Sequence, residues 1–299
     1  MQCNVSGNLP IVPFIGEGHL SECENGRAAV LSIIFPFRVV FNSLSESERV
    51  KTGIKGLDEL IEGGLPRGFS FLLLGGPGTG KTTFGVQYLY KGATEYGEGG
   101  MYVTFDEPPY SISGNSQRYG WDLVEQEKVG KISFVDASPI KREARTSTFV
   151  PPSLGQSFLG GAKFNIDSVV AAIKEVKQKV NAKRCVIDSI SALTLQYKDD
   201  FEIRQQTLKL IKDLTEMNLT TIMLAENAED RQDLTRFGPE SFLAQGVIVL
   251  HMYRVEESNV KALEVRKMRG AKHTDRLCPY RITSEGIEVY PEETVFRSV

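Results

Sequence analysis

The chain has 299 residues, 41% apolar and 24% charged, and its 35 Lys plus Arg against 38 Asp plus Glu leave a formal net charge of -3. These are the proportions of a globular protein, and the near-neutral balance excludes a histone-like or polybasic chain and argues against a dedicated nucleic-acid coat. The four cysteines, Cys3, Cys23, Cys185 and Cys278, form no C-x-x-C pair and match no His cluster, which argues against structural zinc or a disulfide scaffold and fits a reducing cytoplasm.

Residues 1–48 read as an N-terminal extension. Gly, Pro, Asn and Ser are scattered without period, and order is expected to be poor up to about Arg27. The apolar run Ala28 to Phe41 follows, then the polar connector Asn42 to Glu48. The run is too short to span a bilayer and is broken by Pro36 and Arg38. Mixed, acidic residues precede it and no small-residue cleavage site follows, so it does not resemble a signal peptide. Its β-branched and aromatic content reads as a strand or a packed strand pair.

Residues 49–299 read as one regular domain. Phe69 to Leu74 is a continuous apolar run that predicts a buried parallel strand. Helical spacing follows over Thr82 to Tyr96, and short strands are expected over Met101 to Phe105 and Lys131 to Val135. Pro139 to Phe164 has no period and is net basic, through Lys141, Arg142, Arg145 and Lys163 against Glu143. It reads as a solvated loop or as a contact for a partner or nucleic acid. Asp167 is expected to cap a helix with Val169, Val170, Ile173, Val176 and Val180 on one face. A strand over Arg184 to Ile187 precedes a helix over Phe201 to Met217, with Leu208, Ile211 and Leu214 at spacing three. Strands are predicted over Thr220 to Ala225, Val247 to Tyr253, Ala262 to Met268 and Gly286 to Tyr290, the last two without helices between them. The alternation predicts an α/β fold: a mostly parallel twisted sheet with helices on both faces and antiparallel strands at the C-terminal edge.

Gly75 to Thr82 reads GGPGTGKT and fits the phosphate-loop pattern G-x-x-x-x-G-K-[ST]. Gly76, Gly78 and Gly80 let the backbone turn its N–H groups inward on an anion. Lys81 can reach the β- and γ-phosphates, and the Thr82 hydroxyl can ligate Mg²⁺. Gly76, Pro77, Gly78, Thr79, Gly80, Lys81, Thr82 and Thr83 are therefore the candidate nucleotide contacts, at the start of a helix whose N-terminus favours negative charge. Asp188, at the end of CVID, is the candidate carboxylate for hydrated Mg²⁺. Asp106 and Glu107 directly follow strand MYVTF, where ligands bind in parallel sheets. They are the candidates to orient or deprotonate water, the alternative being a loop-capping acid pair. Glu226 and Asn227 end TTIMLA and are candidate sensors of the γ-phosphate.

These pieces occur in an arrangement that resembles the KaiC-like branch of the RecA-fold ATPases. The matching segments are TGIKGLDELIEGGLPRG from Thr52 to Gly68, the phosphate loop, VTFDEPP, CVIDSISAL, RKMRGAKH from Arg266 to His273, and ITSEGIEV. The resemblance covers about five-sixths of the chain. It implies a RecA-like ATPase binding ATP and Mg²⁺ between subunits of a homo-oligomeric ring, usually a hexamer. It also implies that Lys267 and Arg269, with Met268 between them and His273 shortly after, reach the nucleotide held by the next subunit. Arg254, Lys261, Arg266, Lys267, Arg269, Lys272, Arg276 and Arg281 outnumber Glu256, Glu257, Glu264 and Asp275 in that stretch, which agrees with a cation supplied in trans. The family's clock protein has two such units in tandem and adjacent Ser-Thr phosphoacceptors. Here there is one unit, and the positions fall near Ser241 and Phe242, so Ser241 alone remains for a weak autokinase activity. Ala228 to Gln245 lie where recombinases of this fold carry a DNA loop. The charged residues there are Glu229, Asp230, Arg231, Asp233, Arg236 and Glu240, a net negative set that weakens a strand-exchange reading. The expectation is a cytoplasmic regulatory or signalling ATPase with an unidentified protein partner. The alternatives are a DNA-dependent recombinase or repair ATPase and an ATP-gated scaffold.

Overall fold

The computed structural model describes residues 48–137, 166–191, 199–226 and 243–295. The extension up to residue 47, the basic segment 139–164, Asn227 and Ser241 lie outside the described residues.

A two-stranded ribbon comes first: β1 (Arg49–Val50) pairs with β2 (Leu65–Pro66), with the one-turn helix α1 (Leu57–Leu60) between them. The strands that follow are β3 (Ser70–Gly75), β4 (Gly99–Thr104), β5 (Ile132–Asp136), β6 (Ala182–Asp188), β7 (Thr220–Glu226), β8 (Gly246–Val255), β9 (Ser258–Met268), β10 (Cys278–Thr283) and β11 (Gly286–Val289). They form a nine-stranded sheet in the order β11-β10-β9-β8-β3-β7-β6-β4-β5. Neighbours from β8 to β5 are parallel, while β9, β10 and β11 extend one edge antiparallel. This is the architecture that the alternation of strands and helices predicts.

Strand period two explains why the central strands are apolar throughout. Phe71, Leu73, Val186, Ile222, Leu224, Ile248 and Leu250 face one core, together with Phe84, Tyr88 and Leu89 of α2 (Lys81–Glu95). Ile112 and Leu123 join that core from two short helices, α3 (Pro109–Ser116) and α4 (Leu123–Lys128). The intervening residues Leu72, Leu74, Met101, Val103, Ile187, Met223, Val247 and Val249 face the other core. There they meet α5 (Ile166–Val180) and α6 (Asp200–Glu216). Among the described residues no helix is long and apolar enough to cross a membrane.

Two expectations about the second helical layer need correction. Asp167 lies inside the first turn of α5, which starts at Ile166, and its carboxylate pairs with Lys209 of α6 instead of capping. Leu208 is 46% exposed, while Thr207, Leu210, Ile211 and Leu214 are buried. At 3.6 residues per turn Leu208 sits about 120° around the helix from Leu214, whereas Thr207 and Leu210 lie within about 40°. Spacing three drifts off the buried face.

One buried charge is built into the sheet beneath α2. Arg184 of β6 is fully buried, donates to Glu98 Oε2 at 2.8 Å and to Tyr88 O at 3.0 Å, and stacks over the Tyr88 ring. Glu98 also takes Arg67 at 2.8 Å. Pairing and hydrogen bonding are what make a buried charge tolerable. Gly92 makes room for it, since a Cβ there would come within 2.5 Å of the Arg184 side chain.

Candidate nucleotide-binding site

β3 delivers the chain to Gly75, and α2 begins at Lys81 with Gly80 as its N-cap at φ 95°. No side chain caps α2, so its first N–H groups stay available to an anion. Thr79 closes the turn by donating from Oγ1 to Gly76 O at 2.8 Å. Lys81 Nζ folds back on Gly75 O at 2.8 Å and Gly76 O at 3.1 Å.

The antiparallel edge grips this loop from outside. Tyr280 of β10 donates its hydroxyl to Thr79 O at 2.6 Å, and Lys261 of β9 donates to Gly78 O at 2.7 Å. Ile282 lies against Gly80, where a Cβ would come within 2.7 Å of its Cδ1. Gly80 is thus required twice, by its positive φ and by this contact. None of these three partners announces itself in the sequence, since each reaches the loop from about 180 to 200 residues away.

Asp188 ends β6 in register with Thr104 of β4 and Leu224 of β7. Its Oδ2 accepts from Thr82 Oγ1 at 3.0 Å and from the Tyr102 hydroxyl at 2.5 Å. Burial pushes its pKa up despite those donors, a desolvation that a bound cation would relieve. Burial and the neighbouring Asp188 raise the Tyr102 phenol well above its ordinary range, so it stays a donor. A carboxylate and a hydroxyl, both oxygen donors, suit Mg²⁺ completed by water and phosphate.

Asp106 and Glu107 are brought to the same end of the sheet but turn apart. Asp106 is exposed, and its Oδ2 accepts from Ser189 Oγ at 2.9 Å, one residue past Asp188. Glu107 Oε1 accepts from Ser111 Oγ and from Asn115 Nδ2 at 3.1 Å, both on α3. The Thr104 hydroxyl donates to Glu107 O and fixes the turn between them. Glu226 ends β7 opposite Gly75 with an exposed side chain.

The basic stretch does not form one patch. Arg266 pairs with Glu264 at 2.8 Å, and Lys261 sits at the phosphate loop. Lys267 and Arg269 lie at the opposite end of the sheet, where Met268 pairs with Gly246 and Gly246 with Phe71. Lys267 Nζ donates to Ala244 O at 2.6 Å, and Arg269 is exposed. The Met268 side chain is buried in the core, which leaves its backbone as the part able to meet a ligand. His273 Nδ1 lies 3.1 Å from Thr274 O.

The β8–β9 hairpin that carries Lys261 is braced by Glu264, whose Oε2 meets His251 Nε2 at 2.7 Å and Arg266 at 2.8 Å. The His251 hydrogen bond, with Arg266, holds the Glu264 carboxyl down to about 2, against an ordinary 4.5. A depressed carboxyl stabilises the fold fully above its unfolded value, and that contribution is lost as pH falls toward the folded one. Glu264→Gln is therefore expected to be less stable than the parent at pH 6. The two should converge as pH falls from about 4.5 toward 2, measured by urea unfolding across that range.

The family described as "ATPase: KaiC" matches residues 50–294. The chain is 35% identical to the circadian clock oscillator protein KaiC of Synechococcus elongatus, over 81% of this chain and 44% of that protein. It is 34% identical to the clock oscillator protein KaiC of Parasynechococcus marenigrum, over 82% and 45% respectively. It thus spans less than half the length of these relatives. The crystal structure of a KaiC-like protein from the hyperthermophilic archaeon Pyrococcus horikoshii OT3 superposes with a TM-score of 0.68 at 41% identity, covering 81% of this chain and 99% of that one.

Proposed function

The chain belongs to the KaiC family of ATPases, and from that premise we propose that it is a Mg²⁺-dependent ATPase working as a homo-oligomeric ring with ATP between subunits, in a regulatory or signalling role. The observation that carries the ring is a separation within one chain. Lys267 and Met268 pair near Phe71, at the start of β3, whereas the phosphate loop leaves the other end of that strand at Gly75. That is about 13 Å of strand, with the loop beyond it. Arg269 serves its own loop poorly and a neighbour's well, as closed rings with repeated head-to-tail contacts allow.

In this reading the loop amides and Lys81 bind the phosphates. Thr82 and Asp188 would hold Mg²⁺, which would neutralise phosphate charge when bound. Glu107 or Asp106 orients and deprotonates the attacking water, and Arg269 of the next subunit stabilises charge as the γ-phosphate departs. Glu226, which ends β7, and Asn227, which follows it in sequence, are the sensing pair in this reading.

The test is an ATPase assay with and without single-stranded DNA, run beside a mass measurement of the assembly. Hydrolysis indifferent to DNA, in a particle of about six chains, supports the reading. DNA-stimulated hydrolysis would transfer the case to a recombinase. Lys81→Ala is expected to abolish productive ATP binding, checked by equilibrium dialysis. Parental affinity in that variant would remove the site.

A further inference from the structure

Tyr102 of β4 stands opposite Val186 of β6, and Asp188 lies two residues further along the same face, opposite Thr104. That face is the one covered by α2. The Tyr102 ring is buried there beside Phe134 of β5, with ring centroids 5.8 Å apart. α2 crosses β6 closely, since a Cβ on Gly85 would come within 2.9 Å of Val186 Cγ1. Thr82, one turn before Gly85 on the same side of the helix, is thereby brought against Asp188.

Both hydroxyls meet one oxygen. Asp188 Oδ2 accepts from Tyr102 at 2.5 Å and from Thr82 Oγ1 at 3.0 Å, and among the described residues no other hydrogen bond reaches the carboxylate. A carboxylate oxygen offers about two lone-pair sites, so two donors fill it. The phenol is held where its close-packed ring is held. Oδ2 is thus committed inside the protein, and Oδ1 is the oxygen left for a ligand.

Resting on the Mg²⁺-ATP reading above, we propose that Tyr102 is a positioning residue that sets ion specificity: by occupying Asp188 Oδ2 together with Thr82, it confines the carboxylate to one-oxygen binding and favours Mg²⁺ over Ca²⁺. Ca²⁺ takes roughly six to eight oxygens in flexible geometry and accepts a carboxylate through both of its oxygens. Mg²⁺ demands a near-ideal octahedron, keeps several waters and needs less from each carboxylate. Hydrogen bonds that orient a ligating group are worth roughly 10–100-fold in metal affinity. Tyr102 acts only through Asp188, and nothing in the phosphate-loop pattern calls for a phenol at its position.

The experiment compares Tyr102→Phe with the parent chain, with circular dichroism to verify folding. The Phe ring fills the same space without the hydroxyl, and Tyr102→Met removes the hydroxyl a second way. With a non-hydrolysable ATP analogue bound, Mn²⁺ is titrated by electron paramagnetic resonance and then displaced by Mg²⁺ or, separately, by Ca²⁺. Tyr102→Phe should weaken Mg²⁺ roughly tenfold and change Ca²⁺ by less than about threefold, the scale of a hydrogen bond behind a ligating carboxylate. Tyr102→Met should shift the ratio in the same direction. Affinity for the analogue in EDTA should stay at the parent's value. Equal weakening of both ions, no change in either, or a loss of metal-free nucleotide affinity overturns the proposal. If the parent itself takes up no Mn²⁺ with the analogue bound, or if Asp188→Asn takes it up normally, the Mg²⁺-ATP reading fails instead.

Discussion

Arg269→Ala is expected to retain bound ATP and to hydrolyse it roughly 10³-fold more slowly, the scale of an arginine finger. The physical basis is where the side chain stands. Arg269 directly follows β9, is exposed, and its backbone N–H donates to Gln245 O at 2.8 Å. That bond anchors the main chain while the guanidinium projects outward. Such a group contributes little to the fold, so its removal should barely move the unfolding midpoint. A guanidinium meeting a neighbour's γ-phosphate acts mainly in the transition state, where charge redistributes over the departing phosphoryl oxygens. The loss should therefore fall on turnover, with affinity nearly unchanged. Single-turnover phosphate release beside equilibrium nucleotide binding separates the two. A variant that hydrolyses normally would leave Arg269 with no chemical part.

The second large effect concerns the carboxylate that activates water. Glu107→Gln keeps side-chain size and removes basicity, so hydrolysis should fall by roughly 10²-fold or more while ATP stays bound. Ser111 and Asn115 hold Glu107 from α3, the kind of support that keeps a base in one orientation. Asp106 has a rival claim, because Ser189 links it to the chain directly after Asp188. Asp106→Asn is the paired measurement. If it is the more damaging change, Asp106 is the base and Glu107 shapes the turn through Thr104 and α3.

What the sequence made legible was chemistry that demands particular residues at particular spacings. The phosphate loop is one such demand. Asp188 is another, since it follows four buried residues of a parallel strand and so had to emerge at the ligand end of the sheet. The strands were legible because both faces are buried, which forces continuous apolar runs. The helices α3 and α4 were not. Pro109 to Ser116 carries three serines and a glycine, and two of the serines, Ser113 and Ser116, sit at buried positions, so its apolar period is faint. Tyr102 carries no signal of its own within MYVTF, and its hydroxyl meets Asp188 only through the register of β4 with β6. The basic stretch read as one cluster because sequence is linear. In the sheet the stretch runs from the end of β8 through β9 into β10, and most of the length of β9 separates Lys261 from Arg269.

The measurement that bears most directly on a shared site in a ring is complementation between two inactive variants. Lys81→Ala has no working phosphate loop but an intact Arg269. Arg269→Ala has the reverse. Mixed under conditions where native mass spectrometry shows subunit exchange, they should regain ATPase activity, because some interfaces then join an intact loop to an intact Arg269. Exchange without any recovered activity would mean that Arg269 acts within its own chain or not at all, and would contradict the ring mechanism.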